Sequence, residues 1–148
     1  MKYGSLTMAK AYDEAGEIEA WLQLFLRNDG NNVALADGLL LEKRYYLGIR
    51  EVPIELLDDI KKGTPEYLYD EDSIAYFWWI VERMEADYGE WDVPPLIVEY
   101  RDERFWVNDG RHRLEMYRRM KAETVTAVFW TTGEENDRKL RGILGEKK

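Results

Sequence analysis

A chain of 148 residues with 45% hydrophobic and 14% aromatic content holds enough apolar material for one packed core, which excludes general disorder. The absence of cysteine excludes a disulfide scaffold, a thiolate metal site and a cysteine nucleophile, and the single histidine argues against structural zinc. A net charge of −9 argues against a protein built mainly to grip duplex DNA, because neutralising phosphates supplies most of that affinity.

Residues 1–12 read as a loosely held lead-in without the apolar segment of a secretory signal, so a cytoplasmic location is expected. Residues 13–28 read as an amphipathic helix capped by Asp13, with Ile18, Trp21, Leu22, Phe25 and Leu26 at helical spacing. The run NDGNN at 28–32 ends it. Residues 33–44 fit either a short helix or a loop around Asp37-Gly38. A helical N-terminal extension over about residues 10–44 is thus expected within a single domain, 1–148.

Residues 45–54 look extended, and Pro53 suits the start of a short helix, IELLDDIKK, stopped at Gly63. After a polar connection, Asp72 or Ser73 is expected to cap a helix over 73–87. Its early apolar residues cover most of the circumference, which predicts deep burial there, with Trp78 and Trp79 in the core or an interface. The longest apolar run, 74–81, is too short to span a bilayer, and no membrane partner is expected.

The second half has a clearer order. Residues 96–101 and 104–108 read as a hairpin turning at Asp102-Glu103. A helix over 110–121, a strand over 124–130 and a short helix over 134–143 follow. The whole predicts an α+β fold, a small mixed β-sheet flanked by helices.

The functional signal lies in RFWVNDGRHRLEMYRRMK, 104–121. A strand ends, the chain breaks at Asp109-Gly110, and a helix opens with Arg111, His112 and Arg113 at its mouth. Free backbone N–H groups and the helix dipole favour an anion there, and two guanidiniums would make forked bonds to a phosphate. Each residue also has a plain structural reading. Arg113 and Arg111 also suit salt-bridged helix arginines. His112 suits a ligand contact, a general acid or base, or a ring satisfied by the backbone. Asp109 suits a helix cap, or a ligand for Mg²⁺ bridging to phosphate, since a bare carboxylate would repel one. Gly110 permits close backbone approach. Five basic residues (111, 113, 118, 119, 121) against Glu115 predict a local positive patch in an acidic protein.

The block VPPLIVEYRDERFWVNDGRHRLEMYRRMKAETVTAVFW, 93–130, resembles the ParB N-terminal domain and sulfiredoxin superfamily. The shared order is Pro-Pro, strand, turn, strand ending in Asp-Gly, then x-His-Arg opening a helix, then a closing strand. EVPIELLDDI at 51–60 is similar to that superfamily's first box. The resemblance implies a turn, Asp109–Arg113, that holds nucleotide phosphates. Sulfiredoxins carry a cysteine where this chain has Arg111, so that chemistry is not expected. Chromosome-partition members carry Gly-Glu-Arg-Arg at the turn, bind CTP and continue into a helix-turn-helix domain, for which no room is expected here. Another branch phosphorylates free serine with a turn closer to Asp-Gly-x-His-Arg.

The resemblance implies binding of a nucleotide (ATP, ADP or CTP, with Mg²⁺) or of a phosphorylated small molecule. Phosphotransferase activity is open, with Glu51 or His112 as the catalytic group; Glu55 and Asp59 are nearby acids, and Glu51 also suits a surface acid. A nucleic-acid-binding module or nuclease, which some relatives are labelled, and a non-catalytic interaction domain are the alternatives. Asn31, Asn32 and Asp37 suit pocket walls or turn formers equally.

Overall fold

The computed structural model describes residues 2–145. Three helices come first: α1 (Leu6–Glu14), α2 (Ile18–Arg27) and α3 (Val33–Leu39). Strand β1 (Tyr45–Pro53) runs into a single 3₁₀ turn (Ile54–Leu57), and α4 (Glu71–Asp87) follows a long connection. The hairpin β2 (Leu96–Arg101) and β3 (Arg104–Asp109) leads through α5 (Arg111–Arg119) to β4 (Thr124–Thr131) and α6 (Glu134–Leu144).

The strands form one mixed sheet in the order β1-β4-β2-β3. β1 is antiparallel to β4, β2 is parallel to β4, and β2 is antiparallel to β3. The parallel pair needs a crossover, and β3 with α5 supplies it. The hairpin turn places Asp102 at φ 55° and Glu103 at φ 60°. Two left-handed residues match the twist of the flanking strands.

Side chains alternate across the sheet and divide the core. Ile97, Val128 and Trp130 face α1–α3, where Trp21, Leu22 and Leu26 are fully buried. Leu96, Val98, Ala127 and Phe129 face the other way, toward Leu114 of α5 and Leu140 of α6. Leu47 and Ile49 fall on opposite sides although they are two residues apart. The register slips between Tyr46 and Gly48, and Gly48 takes φ 80°, so a bulge re-aims the strand. A Cβ at Gly48 would collide with the Asp13 carboxylate, which accepts from the Ile49 N–H at 3.2 Å.

Several expectations for the first half are corrected. The helix expected over 13–28 is broken at Gly16, φ 75°, and α1 extends back to Leu6. Ser5, not Asp13, caps it, accepting from the Met8 N–H at 3.1 Å, so residues 6–12 are helical. The helix expected after Pro53 is only the 3₁₀ turn. α4 starts earlier than expected, with Asp70 accepting from the Ser73 N–H at 2.8 Å, and that bond holds the Asp70 carboxyl below its usual range.

Deep burial at the start of α4 is not observed either. Phe77 and Val81 are its buried residues, held against Met116 of α5. Trp78 is half-buried and donates to Thr64 Oγ1, whereas Trp79 is 55% exposed. No helix among the described residues is long and apolar enough to cross a membrane.

Candidate functional site

The junction from β3 to α5 is built on Gly110. It is the N-cap of α5, at φ 111°, and its carbonyl accepts from the Leu114 N–H at 2.8 Å. A Cβ there would stand 2.7 Å from Leu96 Cδ2 and 2.9 Å from Arg113 Nη2. Glycine is required on both counts. With a glycine at the cap, no cap side chain takes the first-turn N–H groups.

Asp109 is therefore not the cap, which corrects that reading. It is the last residue of β3, and both carboxylate oxygens are engaged. Oδ1 accepts from Asn32 Nδ2 at 3.1 Å and Oδ2 from Arg113 Nη2 at 2.8 Å. Asn32 Oδ1 in turn caps α3 through the Leu35 N–H. One polar chain thus ties the N-terminal helices to the mouth of α5.

The two guanidiniums diverge. Arg113 is 5% exposed and donates through Nη1 to the carbonyls of Pro94 and Pro95, at 2.8 and 3.1 Å. Its burial lowers its pKa, while the Asp109 carboxylate opposes that shift. Arg111 turns away, donating to Glu115 Oε2 at 2.7 Å, Lys61 O at 3.0 Å and Gly63 O at 3.4 Å. In this arrangement they do not form the convergent fork that the sequence suggests.

The expected positive patch is partly neutralised: Arg111 and Arg118 share the one Glu115 carboxylate. Arg118 pairs with Glu115 and donates to the carbonyls of Leu57, Ile60 and Lys61, and Arg119 pairs with Glu85. Such pairing weakens the field that a passing anion would meet.

His112 is different. Its ring lies against Phe77, with centroids 4.4 Å apart, and no described residue forms a hydrogen bond with its nitrogens. Burial, then the Arg113 and Arg111 charges, hold its pKa below 6.5, with Asp109 opposing. The imidazole is therefore neutral at neutral pH, with one nitrogen able to donate and one able to accept.

His112, Gly110, Asp109 and Arg113 line a cavity of about 660 Å³ whose far wall includes Phe25, Met84 and Trp91. Residues 2–7 strap its rim. Asp29 accepts from the Tyr3 and Gly4 N–H groups at 2.8 and 2.7 Å, and Asp92 accepts from Thr7 N at 3.3 Å. The Trp21 indole holds Tyr3 O at 2.9 Å. Phe25, Asp29, Trp91 and Asp92 carry no spacing signal that would have marked them as cavity residues.

Glu51 sits on β1 opposite Thr126 and lines a separate cavity of about 400 Å³, with Tyr88, Tyr117 and Thr124. The two cavities share only Trp91 and Asp92 as walls, so Glu51 and His112 are not brought into one site. Asp37 pairs with Arg27 on the surface, apart from either cavity. Among the described residues no group of three or more acids or histidines could hold a metal ion. Each oxygen of Asp109 accepts one protein hydrogen bond, and the Arg113 guanidinium already supplies the carboxylate with a counter-charge.

No family model and no curated protein matches the chain. Its structure is similar to ParB N-terminal domains. The N-domain of a pNOB8-like ParB is 22% identical with a TM-score of 0.39, over 68% of this chain and 33% of that one. A second crystal form of such a domain gives 18% identity and a TM-score of 0.39, over 73% and 42%. A C-terminally truncated chromosome-partitioning protein ParB from Caulobacter crescentus, complexed with CTP-gamma-S, gives 17% and 0.40, over 68% and 55%. The chain thus spans between a third and just over half the length of these structures, and the likeness is remote.

Proposed function

We propose that the chain binds a small phosphorylated ligand, a nucleotide or a phosphorylated metabolite, in the cavity at the mouth of α5. The observation that carries this reading is the meeting of three features. A cavity of nucleotide size opens there, the first turn of α5 has no capping side chain, and His112 is uncommitted. In this reading the phosphate takes the backbone N–H groups of that turn, and the neutral imidazole of His112 donates to it. Arg113 acts from beneath as a buried charge that sets the position of the turn, not as a clamp.

The test is calorimetry with ATP, ADP and CTP, each with and without Mg²⁺. At least one should bind, and His112→Ala should weaken it roughly tenfold, the loss of one hydrogen bond to a charged group. Absence of heat with all three would remove the nucleotide form of the reading, and unchanged affinity in His112→Ala would remove the site. Arg113→Ala is a poor probe, because it also severs the Pro94, Pro95 and Asp109 bonds.

Phosphoryl transfer is a finer form of the same reading. It requires a base beside the acceptor hydroxyl. His112 is the group in the cavity with a free nitrogen and a lowered pKa, and Glu51 lies beyond Trp91 and Asp92. Screening hydroxyl compounds for phosphorylated products, once a nucleotide is found, separates a kinase from a sensor.

A further inference from the structure

One face of α4 is unpartnered and strongly aromatic. Tyr76 is 62% and Trp79 55% exposed, and their rings stack at 6.0 Å. Tyr69, just before α4, is 88% exposed. Exposed aromatics concentrated in one segment mark an interaction surface, whereas scattered ones do not. Beside them runs a groove of about 520 Å³ with Trp79, Ile80, Met84 and Trp91 as its apolar walls and Asp87, Glu90 and Arg83 as its charged lining, two carboxylates to one guanidinium.

The charge around this face decides the occupant. Glu71, Asp72, Glu82, Asp87 and Glu90 are exposed, and none has an ion-pair partner among the described residues. The cation on the face, Arg83, lies 5.8 Å from the Trp79 ring centre and is partly spent on it. A second copy would bring the same carboxylates together, and a nucleic acid would meet them with its phosphates. Both are opposed by like charge.

We propose that the aromatic face of α4 is a docking surface for a basic amphipathic segment of another protein. An apolar anchor side chain fills the groove beside Trp79, and flanking Lys or Arg residues meet Asp87 and Glu90. The groove shares Met84 and Trp91 with the cavity at the mouth of α5, so the bound segment rests on the outer side of that cavity's wall.

A synthetic amphipathic helix of leucine and lysine serves as the probe, followed by calorimetry at low and high salt. The wild-type chain should bind it, more weakly as salt rises. Trp79→Ala should weaken binding roughly tenfold, as expected for an aromatic anchor. Asp87→Asn with Glu90→Gln should flatten the salt dependence. Melting temperatures of all variants should match the wild type, since these side chains are exposed. Lack of binding, equal binding by Trp79→Ala, or equal binding of a leucine and glutamate helix overturns the proposal. So does a dimer by sedimentation that Trp79→Ala dissociates, which would make a second copy the occupant.

Discussion

Glu115 is a carboxylate held by three donors, and it is 3% exposed. Its Oε2 takes Arg111 and Arg118, each at 2.7 Å, while Oε1 takes the Gly63 N–H at 3.2 Å. The same two arginines donate to the carbonyls of Leu57, the last residue of the 3₁₀ turn, and of Ile60 and Lys61 beyond it, so α5 latches the 57–63 connection. Glu115→Ala leaves two shielded guanidiniums without a counter-charge and is expected to cost about 3–5 kcal/mol by urea unfolding. Arg119→Ala removes a pair whose members are 43% and 36% exposed, and should cost no more than about 1 kcal/mol. Equal losses would refute the distinction. His112 has the opposite character, a titratable group with no hydrogen-bond partner among the described residues. Its folded pKa lies below 6.5, so near that pH the unfolded chain binds more protons than the folded one. Stability should therefore fall as pH drops through 6.5 toward the lower folded value, and His112→Asn should remove that part of the slope. With one histidine in the chain, a proton NMR titration needs no assignment. A midpoint at or above 6.5 would show that burial and the two arginines do not control the ring.

At the scale of the element, the β3–α5 junction and the β2–β3 hairpin both place a residue at positive φ, but only the first carries glycine there. Gly110 has φ 111° and no room for a Cβ, so Gly110→Ala combines backbone strain with overpacking, roughly 2–4 kcal/mol by denaturation. Glu103 occupies a left-handed position that costs a side chain about 1 kcal/mol, and its exposed bond to Lys139 offsets only part. Glu103→Gly should stabilise by about 0.5 kcal/mol, and a lower denaturation midpoint would contradict the turn assignment. Both junctions were legible in the sequence, because Asp102-Glu103 and Asp109-Gly110 interrupt strand alternation and helical periodicity at the point where the chain turns. α4 was not legible in the same way. The run at 74–81 is apolar on all sides, but composition cannot tell which neighbour covers which side. The strip bearing Phe77 and Val81 is the one that became fully buried, against Met116, with Trp78 half-buried beside it.

Across the whole molecule, the strand-to-helix junction that carries the candidate site was readable and its wiring was not. The strand, turn and helix around residues 104–121 put Gly110 and His112 at a helix mouth, as their local order suggests. The fates of Arg111 and Arg113 depended on carbonyls at Lys61, Gly63, Pro94 and Pro95, and Asp109 met Asn32 across 77 residues. No local pattern encodes such partners. The strap over the cavity has the same long-range origin, since Tyr3 and Gly4 lie on Asp29 and Thr7 on Asp92. Holding the strap through a few exposed hydrogen bonds makes it a unit that opens more easily than the core behind it. Asp29→Ala removes two of those bonds, and the Tyr3 and Gly4 amides should then exchange roughly tenfold faster, while amides of β4 stay unchanged. A ligand seated at the mouth of α5 touches the strap from beneath, because Gly4 and Ser5 share the cavity with Gly110 and His112. The same two amides should therefore slow when that ligand binds to the wild-type chain. Exchange that responds to Asp29→Ala but not to ligand would separate the strap from the cavity and leave its hydrogen bonds purely structural.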